Sequence, residues 1–433
     1  MKSALGKTEI AWNALFDKYD IVKRVGKYGR FRISADKIRA FREPRLMAKF
    51  DHRKNLPEAF RDSGFGILPV SRGDYLIGPF KLFATHPKLD DTVPISHVSL
   101  PSAVESISPD SITSEAVALN CAWDSRILHD FLGEDNLYPT HSGRMGSNKF
   151  SFRIQDEEGG RTSSVMVNGA QIEIDAAYEG AGSVTIIEAK MDLAEDFIVR
   201  QLYYPYRHFS SLALSKPVRT LYVTYSGGVF YLTEYAFEDR TNYNSVSLVK
   251  SGRYAIGCPV LSIAQLQEML DATAVEAEPD DIPFPQADTF ARVQNLCERL
   301  ATGPMSKEDI EECYGFDIRQ ADYYYNAAAY LGLAGREGGR GTKVVLTSKG
   351  REWAKLPVSR RNLYMVRRML CHEPFRQVLR LTLLRRAVPD KSEIRDVLLR
   401  TNPGIGDVRK NTYNRRASTV RLWTQWIMSL VGG

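Results

Sequence analysis

No run of eighteen apolar residues occurs in the 433 residues, so the sequence offers no transmembrane helix. The opening MKSALGKTEIAW lacks the apolar core of a secretory signal, and a cytoplasmic location is expected. Cysteine is scarce: five, at 121, 258, 297, 313 and 371, none in a C-x-x-C pair. That spacing indicates neither a zinc site nor a disulfide framework and suits a reducing compartment. The pattern G-x-x-x-x-G-K-[ST] is missing, which argues against an NTP-driven motor in this chain. No repeat of fixed period recurs. A chain of this length should hold roughly two to four domains, each large enough for its own core.

The charge is unevenly spread. The formal net charge is +6, but residues 1–60 carry 15 Lys+Arg against 7 Asp+Glu, and residues 351–433 carry 18 against 6. The two ends are therefore +8 and +12, which leaves −14 for residues 61–350. Basic ends around an acidic middle point to ends that hold a polyanion and a middle that holds a metal. The N-terminal cations include a run with an aromatic inside it: Lys23, Arg24, Lys27, Tyr28, Arg30 and Arg32. Arg42, Arg45 and Lys49 follow, at a density that suits phosphate contacts.

The most informative stretch is 165–190, VMVNGAQIEIDAAYEGAGSVTIIEAK. Asn168-Gly169 is a two-residue hairpin signal. Ile172 and Ile174 alternate with Glu173 and Asp175, so period two puts the isoleucines on one face and the acids on the other. In the next run, Glu188 and Lys190 share a face opposite Thr185, Ile187 and Ala189. Two carboxylates and an ammonium at adjacent strand ends suit metal-dependent phosphodiester cleavage. Mg²⁺, with Mn²⁺ as a substitute, needs only one or two carboxylates. Asp175 and Glu188 are the expected ligands, and Lys190 the group that positions or activates the nucleophile.

Asp175, twelve residues, then Glu188-Ala189-Lys190 resembles the PD-(D/E)xK nuclease motif, with Ile174 where the family has proline. The amphipathic IVRQLYYPYRHF that follows, with Gln201, and the preceding helical stretch 113–132, with Glu115, resemble the helices that flank the motif in such nucleases. The wider pattern looks like type II restriction endonucleases with a C-terminal winged-helix region. The resemblance implies an α/β (α+β) multidomain chain: a restriction-endonuclease-like mixed sheet flanked by helices, plus DNA-binding helical parts. It implies double-stranded DNA as substrate, a cognate DNA methyltransferase as functional partner, and Glu115 and Gln201 as further active-site residues. Cutting both strands makes a homodimer plausible. A methylation-dependent nuclease with the same core, and a winged-helix regulator with an inert core, are the alternatives.

On this reading residues 1–100 form a basic mixed region and 101–268 the nuclease domain. There the polar stretch with His141, Arg144, Asn148 and Lys149 is expected as a DNA-contacting loop. Residues 269–286, acidic with three prolines, are expected as a linker. Residues 287–355 look like a winged helix with Arg319, Gln320 and Tyr323 on its recognition helix and Arg336, Arg340 and Lys343 at its wing. Residues 356–433 resemble a second helix-turn-helix, with Arg409, Lys410, Arg415 and Arg416 as DNA contacts and Trp423 and Trp426 as core.

Overall fold

The computed structural model describes residues 6–91, 93–212, 214–257, 261–315, 318–338, 342–405 and 411–432. Apolar residues spaced three and four apart bury one face of the first two helices, α1 (Lys7–Lys18) and α2 (Ile21–Tyr28). β1 (Phe31–Ser34) follows, then α3 (Ala35–Arg39), α4 (Pro44–Ala48) and α5 (Glu58–Ser63). The hairpin β2 (Gly66–Pro69) and β3 (Asp74–Gly78) joins β1 in an antiparallel sheet of order β1-β3-β2.

The middle of the chain builds a seven-stranded mixed sheet. In chain order come β4 (Phe83–Thr85), β5 (Ile95–Val98), α6 (Glu115–Asp124), α7 (Ile127–Leu132), β6 (Tyr138–Gly146), the hairpin β7 (Phe150–Gln155) and β8 (Thr162–Val167), β9 (Gln171–Glu179) and β10 (Val184–Lys190). β11 (Asp196–Ile198), α8 (Arg200–Phe209), β12 (Val218–Ser226), β13 (Val229–Phe237) and β14 (Val246–Ile256) complete it. The sheet order is β5-β14-β13-β12-β10-β9-β6, while β4 pairs apart with β11. β10 and β12 run parallel, and a parallel pair needs a crossover, which α8 supplies. One face of the sheet packs Val184, Ile186 and Ala177 against Leu202, Tyr203 and Tyr204 of α8. That same core takes in α1, α2 and the small sheet, so the N-terminal region is not an appendage. The other face packs Ile187, Ala189 and Leu221 under α6 and α7. The expected mixed α/β class with helices on both faces is present.

The C-terminal part comprises α9 (Ile263–Ala272), α10 (Phe290–Thr302), α11 (Lys307–Tyr314), α12 (Ile318–Tyr330), β15 (Ala334–Glu337), β16 (Lys343–Leu346), α13 (Ser348–Lys355), α14 (Val358–Leu370), α15 (Glu373–Arg385), α16 (Lys391–Thr401) and α17 (Thr412–Ser429). Three helices, a two-stranded wing and a bridge from Met305 to Val344 have the element order of a winged helix. A single core runs from Leu261 to Leu430, so residues 287–355 and 356–433 are one packed unit. Trp423 and Trp426 lie in it, with Phe290 at 4.9 and 4.2 Å between ring centres.

Several sequence expectations are corrected. The stretch 138–146 is not a loop but an exposed edge strand, β6, whose polar side chains leave no apolar face for periodicity to register. The helix expected over 113–132 breaks at Arg126, which takes a left-handed φ of 64° and divides α6 from α7. The last strand expected within residues 1–100, β5, pairs with β14 in the central sheet. The acidic segment 269–286 is no free linker. Glu276 takes the Arg368 guanidinium at 2.6 and 2.8 Å, Glu278 accepts from Tyr330 Oη at 2.6 Å, and Phe284 is buried. Its composition resembles a linker because those carboxylates have cationic and phenolic partners far along the chain.

Candidate active site

β9 and β10 pair as far as Ala176 and Ile187, and there the ladder ends. The next residue on each strand is Asp175 and Glu188. In place of a backbone carbonyl, the Asp175 carboxylate accepts the Ala189 amide at 2.7 Å. A bulge aims it. Against β6, Gly143 faces Ile174 and His141 faces Ala177, so Asp175 and Ala176 together oppose Ser142 alone. Ile174 and Ala177 consequently both reach the same core, which strict alternation forbids for residues three apart. The extra residue turns Asp175 away from the Glu173 face that period two assigns it and sets it beside Glu188.

Glu188 is buried between strand and crossover helix. Its Oε1 accepts from Lys190 Nζ and, at 2.6 Å, from Gln201 Nε2 in the first turn of α8. Lys190 Nζ also donates to the Ala189 carbonyl at 3.1 Å. Tyr222 stands opposite Glu188 in the parallel register with β12, hence on the same face. Glu115 opens α6, whose N-cap is Ser114, and lines the same cleft. The structure thus brings together Asp175, Glu188, Lys190, Gln201 and Glu115, all five expected residues, in a cleft of about 1070 Å³.

The electrostatics follow from burial. Desolvation pushes Glu188 up to about 7 against the pull of Lys190, and Asp175 adds to the rise. Burial alone would lower the Lys190 ammonium, but Glu188, Tyr222 and Glu115 outweigh it and hold its pKa well above the ordinary lysine value. Desolvation also raises Glu115. Among the described residues no group of three or more His, Cys, Asp or Glu surrounds a metal position. Mg²⁺ does not need one, since it keeps several waters and takes one or two carboxylates. Two orphaned atoms fit a hydrated cation: Gln201 Oε1 and Asp51 Oδ1 line the cleft, buried and without a hydrogen-bond partner among the described residues.

Sequence reasoning passed over three groups here. Tyr222 lies 34 positions from Glu188, and only the strand register makes them neighbours. His52, held by Asp196 at 3.0 Å, lines the cleft beside Asp51, and that pairing raises its pKa against burial. The segment directly after Lys190 is clamped by the C-terminal part. Asn295 Nδ2 donates to the Met191 carbonyl at 2.9 Å, and Arg299 Nε lies 3.2 Å from Asp192. Arg292 donates to the Leu193 and Ala194 carbonyls at 2.7 and 3.3 Å and pairs with Glu195 at 3.1 Å. The Glu195 amide donates to the Tyr314 carbonyl at 3.1 Å. No local pattern foretells these contacts, because they join residues about a hundred positions apart.

The expected DNA contacts divide. Arg45, Lys49 and Arg144 line the cleft; Arg45 and Arg144 both reach Glu173, at 3.7 and 3.1 Å. Arg39, Arg72 and Arg200 add cations to the lining. Arg42 turns instead to Thr8 at 2.5 Å, and Asn148 to Ser211 at 2.7 Å, so neither faces the cleft. Lys149, Arg319, Lys343 and Arg415 are exposed outside it. Gln320 is engaged with Glu195 at 3.3 Å, Tyr323 is half-buried, Arg336 packs on Tyr325 and pairs with Asp322, and Arg416 is bound to Gln286 at 2.7 Å. Arg340, Arg409 and Lys410 lie outside the described residues.

Three family models match, each a domain of unknown function: DUF6996 over residues 9–77, DUF6997 over 78–255 and DUF7226 over 292–432. No curated protein and no solved structure matches. The first boundary falls at the last residue of β3, Gly78, and the middle model contains all five converging residues.

Proposed function

We propose that this protein is a site-specific endonuclease that hydrolyses phosphodiester bonds of double-stranded DNA with Mg²⁺, by the chemistry of the restriction-nuclease fold. The convergence of Asp175, Glu188 and Lys190 where β9 and β10 part, in a large cleft whose lining interleaves arginines and lysines with carboxylates, carries this reading. Asp175 and Glu188 would hold the cation, since each keeps one carboxylate oxygen free of protein hydrogen bonds among the described residues. When bound, the ion would offset charge on the scissile phosphate and lower the pKa of water.

The chain's own groups supply the rest. Lys190, an ammonium beside Glu188, donates hydrogen bonds to the attacking water or to a phosphate oxygen. Gln201 fixes the Glu188 carboxylate, so the ligand does not swing when its charge is engaged. Arg45, Lys49 and Arg144 neutralise phosphates along the cleft. Water attacks phosphorus in line, and the P–O bond opposite breaks. The clamp on Met191–Glu195 makes the winged-helix part a support of the catalytic strand, so that holding DNA and cutting it are mechanically linked.

The test is incubation of the purified chain with phage DNA, unmethylated and methylated, with Mg²⁺, Mn²⁺ or EDTA. Discrete metal-dependent fragments are expected, and Asp175→Ala, Glu188→Ala and Lys190→Ala should each abolish them while DNA binding survives. Full cleavage by Asp175→Ala would remove the mechanism.

A further inference from the structure

α2 does not belong to the cleft. Its buried residues Ile21 and Val25 set its inner face, and this turns Lys23, Arg24, Lys27 and Tyr28 outward in two adjacent rows. With Arg30 and Arg32 of the following strand they border a second groove of about 830 Å³. The groove lies behind the N-terminal sheet. Pro69, Ser71 and Tyr75 line the catalytic cleft, while their neighbours Val70 and Leu76 line the groove. Period two puts such neighbours on opposite faces, so nucleic acid in the cleft does not reach the groove through the sheet.

Its chemistry is one-sided. Five cations line it against one carboxylate, Asp20. Among the described residues, Lys23, Arg24 and Lys27 have no acidic partner within ion-pair distance; Arg32 pairs with Asp74 at 2.9 Å. Like charges one helical turn apart repel, a cost with no counterpart in the packing. Between them lie exposed apolar surfaces: Tyr28 is 66% and Met166, on the facing hairpin, 59% exposed. Lys27 Nζ lies 5.1 Å from the Tyr28 ring centre. A duplex backbone matches the cations but leaves the ring unused. A single strand uses both, with phosphates on the cations and an unstacked base on the ring.

We propose that this groove is a binding site for single-stranded nucleic acid, separate from the catalytic cleft. It does not depend on the catalytic reading, and its test involves no cleavage. Fluorescence anisotropy of labelled oligothymidylate and of a duplex would be measured with the full chain in EDTA over a series of salt concentrations. The Lys23→Glu/Lys27→Glu variant should weaken oligothymidylate binding at least about tenfold and reduce the salt slope by about 1.4, or about 0.7 for each lost phosphate contact. Tyr28→Ala should weaken it roughly five- to a hundredfold with the slope unchanged, and Tyr28→Phe should restore it. All three side chains are exposed, and unfolding midpoints would verify that the variants are folded. Should the double variant not fold, Tyr28→Ala and Lys27→Gln decide. Oligothymidylate affinity untouched by these changes overturns the proposal. Equal losses for duplex and single strand also overturn it, since the groove would then hold backbone alone.

Discussion

Glu188→Gln is expected to stabilise the metal-free protein at alkaline pH while removing its metal response. The substitution keeps the shape and an oxygen to accept from Gln201 and Lys190, and it takes away the ionisable proton. The Glu188 side chain is 8% exposed, so solvent screens it little. Its folded pKa is raised, from 4.5 to about 7. The stability it allows is therefore full below the ordinary glutamate value and is lost as pH rises through about 7. That gap, at about 1.4 kcal/mol for each tenfold change in proton affinity, amounts to about 3 kcal/mol at pH 8 and nothing at pH 4. Urea unfolding of wild type and variant in EDTA at both pH values checks this. The denaturant midpoint should be higher for the variant at pH 8 and equal at pH 4. Added Mg²⁺ should raise only the wild type, because a ligand stabilises the state that binds it. A variant no more stable than wild type at pH 8 would refute the claim that the fold holds a desolvated carboxylate in readiness for a cation.

The same titration predicts that apparent Mg²⁺ affinity, read by calorimetry, falls about tenfold for each pH unit below about 7 and levels off above it, since the ligand must lose its proton. Arg292→Ala should cut the cleavage rate at least about tenfold with DNA affinity within about twofold, and hydrogen exchange at 191–196 should quicken; Arg292→Lys should recover part of the loss. Glu276, held down to about 2 by hydrogen bonds from Arg368, gives stability that is present above its ordinary 4.5 and lost as pH falls towards 2. Its side chain is 44% exposed, so the loss should be no more than about 1 kcal/mol, seen as a flatter acid limb for Glu276→Gln when urea unfolding is followed from pH 6 down to pH 2. Gly228→Ala should loosen the seat of the C-terminal part. Gly228 has a φ of +84°, and an added Cβ would lie 2.6 Å from Val358 Cγ1, so earlier proteolytic release of that part is the expected sign.

Local chemistry made much of the chain legible. Gly227-Gly228 closes the hairpin of β12 and β13, and Ser306 caps α11 through a box with Asp309, so these elements announce themselves within a few residues; Asn168-Gly169, expected to close a hairpin, only turns the chain from β8 into β9, which pair in different sheets. The Asp175, Glu188-x-Lys190 and Gln201 spacing survives folding because three elements close together in the chain, β9, β10 and α8, carry it. The tertiary structure decided what depends on distant pairing. Alternation alone sends Asp175 to the Glu173 face; the bulge against β6 sends it to Glu188. Register with β12 sets Tyr222 opposite Glu188, and docking of α10 fixes the strand end through Asn295 and Arg292. The acidic segment 269–286 becomes structure only once Arg368 and Tyr330 reach it. Period and turn signals act over the few residues that share a helical turn or a hairpin. A hydrogen bond between positions a hundred apart leaves no trace in either neighbourhood until the chain has folded.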